Sequence, residues 1–195
     1  MFYRLALIIS LFSMVSCATM NSIELIDDEH PSGAYKQVHE TAEESWLYAQ
    51  LSNNVYGDIG TKFIVPYVSE LEPQFNLKSG LKAQVYELSL PNTEPALVVS
   101  YAGTEPGITD WIFGNINPFN TQYKQGLKYL REMKYKYSQF QNVIVTGHSL
   151  GGAISIYAAS REPNTEAYIF NPSIRVHGGK YGTHENIHSI SQYAE

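Results

Sequence analysis

The chain has 195 residues, 44% of them hydrophobic and 16% charged, a length for one folded domain with its own core and a composition that excludes intrinsic disorder. Its 13 Lys and Arg against 19 Asp and Glu leave a net charge of −6. That balance argues against a nucleic-acid partner, because phosphate binding needs a basic surface. Cys17 is the only cysteine, so no internal disulfide can form.

Residues 1–16 read as an export signal: Arg4 gives a basic start, and the apolar run Leu5–Val15 is too short to span a bilayer. Met14-Val-Ser-Cys17 resembles the bacterial lipobox, with a small Ser16 before the cysteine and Met14 where leucine is usual. The resemblance implies that Cys17 is acylated and that the protein is an exported envelope lipoprotein, held to the membrane through the lipid. Ala18 in place of an aspartate implies sorting to the outer membrane where the cell has one. Residues 17–40 are polar, with Asp27-Asp-Glu29 and Pro31-Ser-Gly33, and read as a tether. Residues 41–195 are the expected folded domain.

Thr41-Ala-Glu-Glu44 has the form of a capping box. It predicts Thr41 as the N-cap of a helix through Trp46, Leu47 and Leu51, stopped by Gly57 and Gly60. Between Thr61 and Gly80, with Pro66 and Pro73, a short strand is expected near Phe63–Val68, and a loop after it. Leu81–Leu90 and Ala96–Tyr101 read as strands joined by the turn Pro91-Asn-Thr-Glu-Pro95. A helix follows over Thr121–Tyr137. Its Lys124, Lys128, Arg131, Lys134 and Lys136 alternate with tyrosines and read as a solvated face opposite Leu127, Leu130 and Met133; a membrane- or RNA-contacting patch is the alternative. Then come a strand at Val143–Thr146, a helix from Ala153 and strands at Ala167–Phe170 and Asn186–Tyr193. Strands alternating with helices after an opening hairpin predict an α/β fold, a mostly parallel sheet with helices on both faces.

Gly147-His-Ser-Leu-Gly151 stands between the β-branched run Val143–Thr146 and a small-residue helix. A serine at so sharp a strand-to-helix turn is strained and projects its hydroxyl, while the two glycines let strand and helix pass closely. The helix behind Ser149 aims its free N–H groups where an oxyanion would form. Ser149 is therefore the candidate nucleophile.

Two blocks together, Gly147-His-Ser-Leu-Gly-Gly152 and Val98-Val-Ser-Tyr-Ala-Gly-Thr104 with Asp110-Trp111 behind it, resemble the class 3, or fungal-type, lipases of the α/β-hydrolase superfamily. Ala102 stands where that family often has arginine. The resemblance implies a hydrolase of acyl esters or lipids, without a cofactor or metal. It implies Ser149 as nucleophile and the N–H groups of Leu150 and Thr104 as oxyanion donors. The catalytic acid belongs just after the second strand beyond Ser149, where Glu195 stands, and the base belongs after the strand beyond that. His177, His184 and His188 all precede Glu195, so the C-terminal part of the fold, with its base, is expected to be missing here. A non-catalytic envelope lipoprotein of the same fold, or a truncated gene product, is the alternative. His184-Glu-Asn-Ile-His188 spells a zinc-protease motif, but it follows Gly178-Gly-Lys-Tyr-Gly182 and runs into Ile190, a context hostile to the helix that motif needs. Oligomeric state is not legible.

Overall fold

A computed structural model describes residues 35–57, 62–77, 79–103, 118–173 and 185–191. The chain divides into two compact units, Met1–Glu43 and Glu44–Glu195. In chain order the elements are α1 (Tyr35–Asn54), β1 (Val68–Glu70), β2 (Phe75–Asn76), β3 (Lys82–Leu88), β4 (Ala96–Tyr101), α2 (Pro118–Lys136), β5 (Asn142–His148), α3 (Leu150–Ala159), β6 (Glu166–Phe170) and β7 (Ile187–Ile190).

The strands form one mixed sheet in the order β1-β3-β4-β5-β6-β7, with β2 paired to β3. The opening hairpin is antiparallel, Ala83 opposite Tyr101 and Leu88 opposite Ala96. From β4 onward every pairing is parallel: β4 with β5, β5 with β6 and β6 with β7. All six residues of β4 are buried, as expected for the centre of a sheet covered on both sides. Alternate residues face opposite layers. Leu97, Val99 and Tyr101 join Val143, Val145, Ala167 and Ile169 in a core closed by Leu130 of α2 and by Ala153 and Ile154 of α3. Ala96, Val98, Ile144, Tyr168 and Phe170 face Leu47, Tyr48 and Leu51 of α1. The expected α/β architecture, with helices on both faces, is the one observed.

Polar ties in the second layer fix α1 on the sheet. Ser52 Oγ lies 2.7 Å from Thr146 Oγ1, which reaches the Tyr168 carbonyl at 2.7 Å, while the Ser100 hydroxyl donates to the Leu51 carbonyl at 3.0 Å. These hydroxyls are buried and satisfied, so they set the register of α1 as well as its attachment.

Two local expectations are corrected. Thr41 is not an N-cap: α1 begins at Tyr35. No helix breaker stands between Gly33 and Thr41, and the i,i+4 pairs Lys36–Glu40 (3.8 Å) and His39–Glu43 (3.5 Å) favour the earlier turns. Nor is there a strand over Phe63–Tyr67. The buried Asn54 side chain accepts from the Phe63 N–H (2.7 Å) and donates to its carbonyl (2.8 Å), taking the groups a ladder would use. Pro66 has no N–H to offer, so pairing starts only at Val68, opposite Leu88. Val65 packs inward and Ile64 is 99% exposed.

The basic helix is amphipathic as expected. Leu127, Leu130 and Met133 are buried, together with Tyr123 and Tyr129, whereas Tyr135 is 87% exposed. Four of its cations are engaged in ion pairs: Lys128 with Glu132, Arg131 and Lys134 with Glu162, Lys136 with Glu72. A patch reserved for nucleic acid would leave them open. Leu130→Ala is expected to lower stability by about 2–5 kcal/mol, and Tyr135→Ala to change it by less than about 0.5 kcal/mol. Urea midpoints at constant m-value would check this contrast; equal effects would contradict the assigned helix face.

Candidate active site

β5 runs buried from Val143 to Gly147 and stops at His148. The chain turns at Ser149, whose φ of 55° and ψ of −120° lie in a region that L-residues rarely occupy. Such a conformation costs about 1–3 kcal/mol and persists only where its surroundings hold it. Here the Ser149 N–H donates to the Phe170 carbonyl (3.1 Å), and the Ser149 carbonyl accepts from Ala153 (3.1 Å) and Ser173 (2.9 Å). The half-buried Ser149 makes no side-chain cap bond to the helix it precedes, so its hydroxyl is not spent on capping that helix. Leu150 is the first residue of α3, and its N–H belongs to the first turn, where no intrahelical acceptor exists.

The glycines bracketing the turn mark a close approach. A Cβ on Gly151 would lie 2.0 Å from the Tyr101 carbonyl oxygen, and one on Gly147 would lie 2.4 Å from the Gly151 carbonyl carbon. The end of β4, the end of β5 and the start of α3 thus touch backbone to backbone. Beyond Tyr101, a Cβ on the buried Gly103 would sit 3.2 Å from Ser149 Cβ and 2.8 Å from the His148 carbonyl oxygen. The structure brings Gly103 against the elbow. Thr104, Asp110, Trp111, His177, His184, Glu195 and Cys17 lie outside the described residues.

One neighbour of the elbow was not legible. The Gly103 N–H donates to the Tyr56 hydroxyl at 3.0 Å, and the same hydroxyl lies 3.2 Å from His148 Nδ1. Tyr56 follows the end of α1 and carries no motif; nothing in the linear pattern links it to residues 47 and 92 positions away. Burial pushes the His148 imidazole below its ordinary range, which favours the neutral ring.

His188 belongs to a different cluster. It sits in β7, opposite Tyr168, with Nε2 3.2 Å from Glu166 Oε1. Its ring stacks on Tyr168 (4.6 Å between centroids), which stacks on Tyr48 (4.2 Å). Burial first, then Glu166 and Glu44, push the Tyr168 phenol up to about 12, so that ring stays uncharged. With Glu185 and Asn186 in a turn and His188 in a strand, the zinc-protease spacing is not on a helix, and His188 cannot share a helix face with a second ligand. Among the described residues no group of three or more potential metal ligands converges.

A cleft of about 800 Å³ opens at the other end of the sheet, where β4, β5 and β6 begin, and is lined by Tyr48, Glu94, Asn142, Asn164, Glu166 and Asn186. It does not reach Ser149. The elbow stands at the carboxyl ends of the parallel strands, where open α/β sheets place their chemistry, and that geometry outweighs cavity size.

Residues 47–174, about two thirds of the chain, match the Tle-like phospholipase domain, a phospholipase-like family. No curated protein matches the chain. Among solved structures it is similar to lipase II from Rhizopus niveus at 21% identity and a TM-score of 0.47, over 69% of this chain and 63% of that one. A mutant form of the Penicillium cyclopium protein MDLA is similar at 17% identity and a TM-score of 0.42, over 69% and 62%. The chain therefore spans less than two thirds of the length of either.

Gly151→Ala is expected to destabilise the protein by about 1–3 kcal/mol or more, since the new methyl can be housed only by moving the Tyr101 backbone. A urea midpoint equal to that of the parent would show that strand and helix are not in contact there.

Proposed function

The chain belongs to the Tle-like phospholipase domain family, and on that premise we propose that it is a serine hydrolase of lipid acyl esters, with Ser149 as nucleophile. The observation that carries the reading is the strained Ser149 at a strand-to-helix turn, its hydroxyl not used to cap the helix and Gly103 against it. Strain of this kind clusters at functional sites, and at a strand-to-helix turn it is the signature of a nucleophile elbow.

In the proposed reaction Ser149 Oγ attacks the ester carbonyl and gives up its proton to a general base. The carbonyl oxygen becomes an oxyanion, held by the N–H of Leu150 and by that of Thr104. The leaving alcohol takes the proton, and water then cleaves the acyl-serine. Each oxyanion donor is worth about 3 kcal/mol in the transition state. The base is not among the described histidines of the sheet domain: His148 lies beside Tyr56, and His188 faces Glu166. Glu195 is the proposed acid, carried over from the class 3 lipase resemblance. A phospholipid is the substrate class that the family's description favours, with other carboxylic esters as the broader class.

We further propose that the protein is held at a membrane. No helix among the described residues is long and apolar enough to cross one, and attachment is assigned to acylated Cys17, after the apolar run Leu5–Val15. Two or more acyl chains, at about 0.8 kcal/mol per buried CH₂, give stable anchoring. Cys17→Ser should move the protein from the membrane to the soluble fraction; continued membrane fractionation of a normally processed variant would count against acylation.

Activity is tested on the purified chain with a nitrophenyl ester and with phospholipid in mixed micelles. Ser149→Ala should remove whatever turnover the chain shows above the Ser149-independent background, whereas His188→Ala, on its own cluster with Glu166 and Tyr168, should leave it within twofold. Loss in His177→Ala or His184→Ala would identify the base. Turnover indifferent to Ser149→Ala would end the serine-hydrolase reading.

A further inference from the structure

We propose that Tyr56 is a positioning residue of this site: its phenol bridges the Gly103 peptide to the His148 imidazole and so sets the oxyanion-side turn relative to Ser149. The inference rests on the serine-hydrolase reading and deepens it.

The Tyr56 oxygen accepts the Gly103 N–H at 3.0 Å and stands 3.2 Å from His148 Nδ1. The Tyr56 and His148 rings are tilted by 57° with centroids 6.5 Å apart, so they meet through polar atoms and not by stacking. The Tyr56 oxygen accepts from Gly103 and shares a second hydrogen bond with His148 Nδ1, whose single proton is carried by one partner or the other according to the imidazole tautomer, so the contact holds the ring in one tautomer. Burial lowers the pKa of that ring, which favours its neutral form, the form in which one nitrogen can accept.

Two consequences follow for the site. The Gly103 N–H is committed to Tyr56, so the oxyanion donor on this side has to be a different peptide N–H, in keeping with Thr104. Second, residue 103 has to lack a side chain, since a Cβ there would lie 2.4 Å from the Tyr56 oxygen. The phenol occupies the space that a side chain would take and fastens the turn from that side. It is itself well placed: the Tyr56 N–H donates to Asn53 (3.1 Å), the Gly57 N–H to Asn54 (3.1 Å), and Gln74 donates to the Val55 carbonyl. A displacement of about 1 Å at a reacting centre costs on the order of a hundredfold in rate, so a peg of this kind acts on turnover through geometry.

The experiment uses Tyr56→Phe in the full chain, which removes only the bridging oxygen. ¹⁵N NMR of the parent should show His148 in a single tautomer, and the variant should lose that single-tautomer signature and shift the Gly103 amide proton upfield. With the nitrophenyl ester, kcat should fall about tenfold while KM stays within twofold. His148→Ala, which keeps the Gly103 bond and deletes the other anchor, should lower kcat about threefold and supplies the kinetic test if the phenylalanine variant does not fold. An unchanged His148 tautomer in Tyr56→Phe, or an unchanged kcat in both variants beside a Ser149-dependent parent, overturns the proposal. A parent without Ser149-dependent turnover sinks the hydrolase reading, and the positioning role with it, whereas the NMR arm still reports on the bridge.

Discussion

Three backbones meet at one point in this fold, and the site depends on their having no side chains between them. The Tyr101 carbonyl at the end of β4, Gly147 near the end of β5 and Gly151 in the first turn of α3 are packed closer than a methyl group allows. Hydrogen bonding alone would let the strand-to-helix turn relax. Contact of this kind fixes where the helix starts, and hence the torsion imposed on Ser149. It also ties the elbow to β4, so that the peptide beyond Tyr101 emerges beside the serine and not elsewhere on the sheet edge.

The two layers around the sheet divide the work. On one side Leu130, Ala153 and Ile154 close an apolar core against Val99, Val145 and Ile169, supplying most of the area removed from water. The other side is more polar. Hydroxyls of Ser52, Thr146 and Ser100 lock α1 at one longitudinal position, whereas an apolar interface alone would tolerate sliding. That registry decides where Tyr56 arrives. The apolar layer thus holds the sheet together, and the polar layer aims a side chain.

Most of the sheet was legible because its strands are dense in β-branched residues and its turns carry Pro, Gly and Asn. The elbow was legible because it demands residue types at fixed spacing, with Gly147, Ser149 and Gly151 each doing something no other residue can do there. Long-range matters were less visible. Thr41 satisfies a capping pattern, yet nothing upstream prevents the helix from starting at Tyr35, and a local signature cannot report that. The run from Phe63 to Tyr67 has strand-forming residues, but Asn54 takes the backbone groups of Phe63. Tyr56 was invisible for the same reason: its role exists only after α1 has docked. Pattern reading recovers what a residue requires of its neighbours in sequence and misses what distant residues offer it.

The ties between α1 and the sheet also bear on the order in which the molecule assembles. Ser52 and Thr146 are 94 positions apart, and Tyr56 and His148 are 92 apart, so each contact closes a loop of nearly half the chain. The entropy of such a closure is met only once the intervening strands are in place. The elbow is local by contrast, since β5, its turn and α3 are contiguous. A nascent chain can therefore form the serine turn early and acquire its surroundings late. A fragment starting after Gly57 would keep every residue of the serine motif and lose the helix that organises the space in front of it.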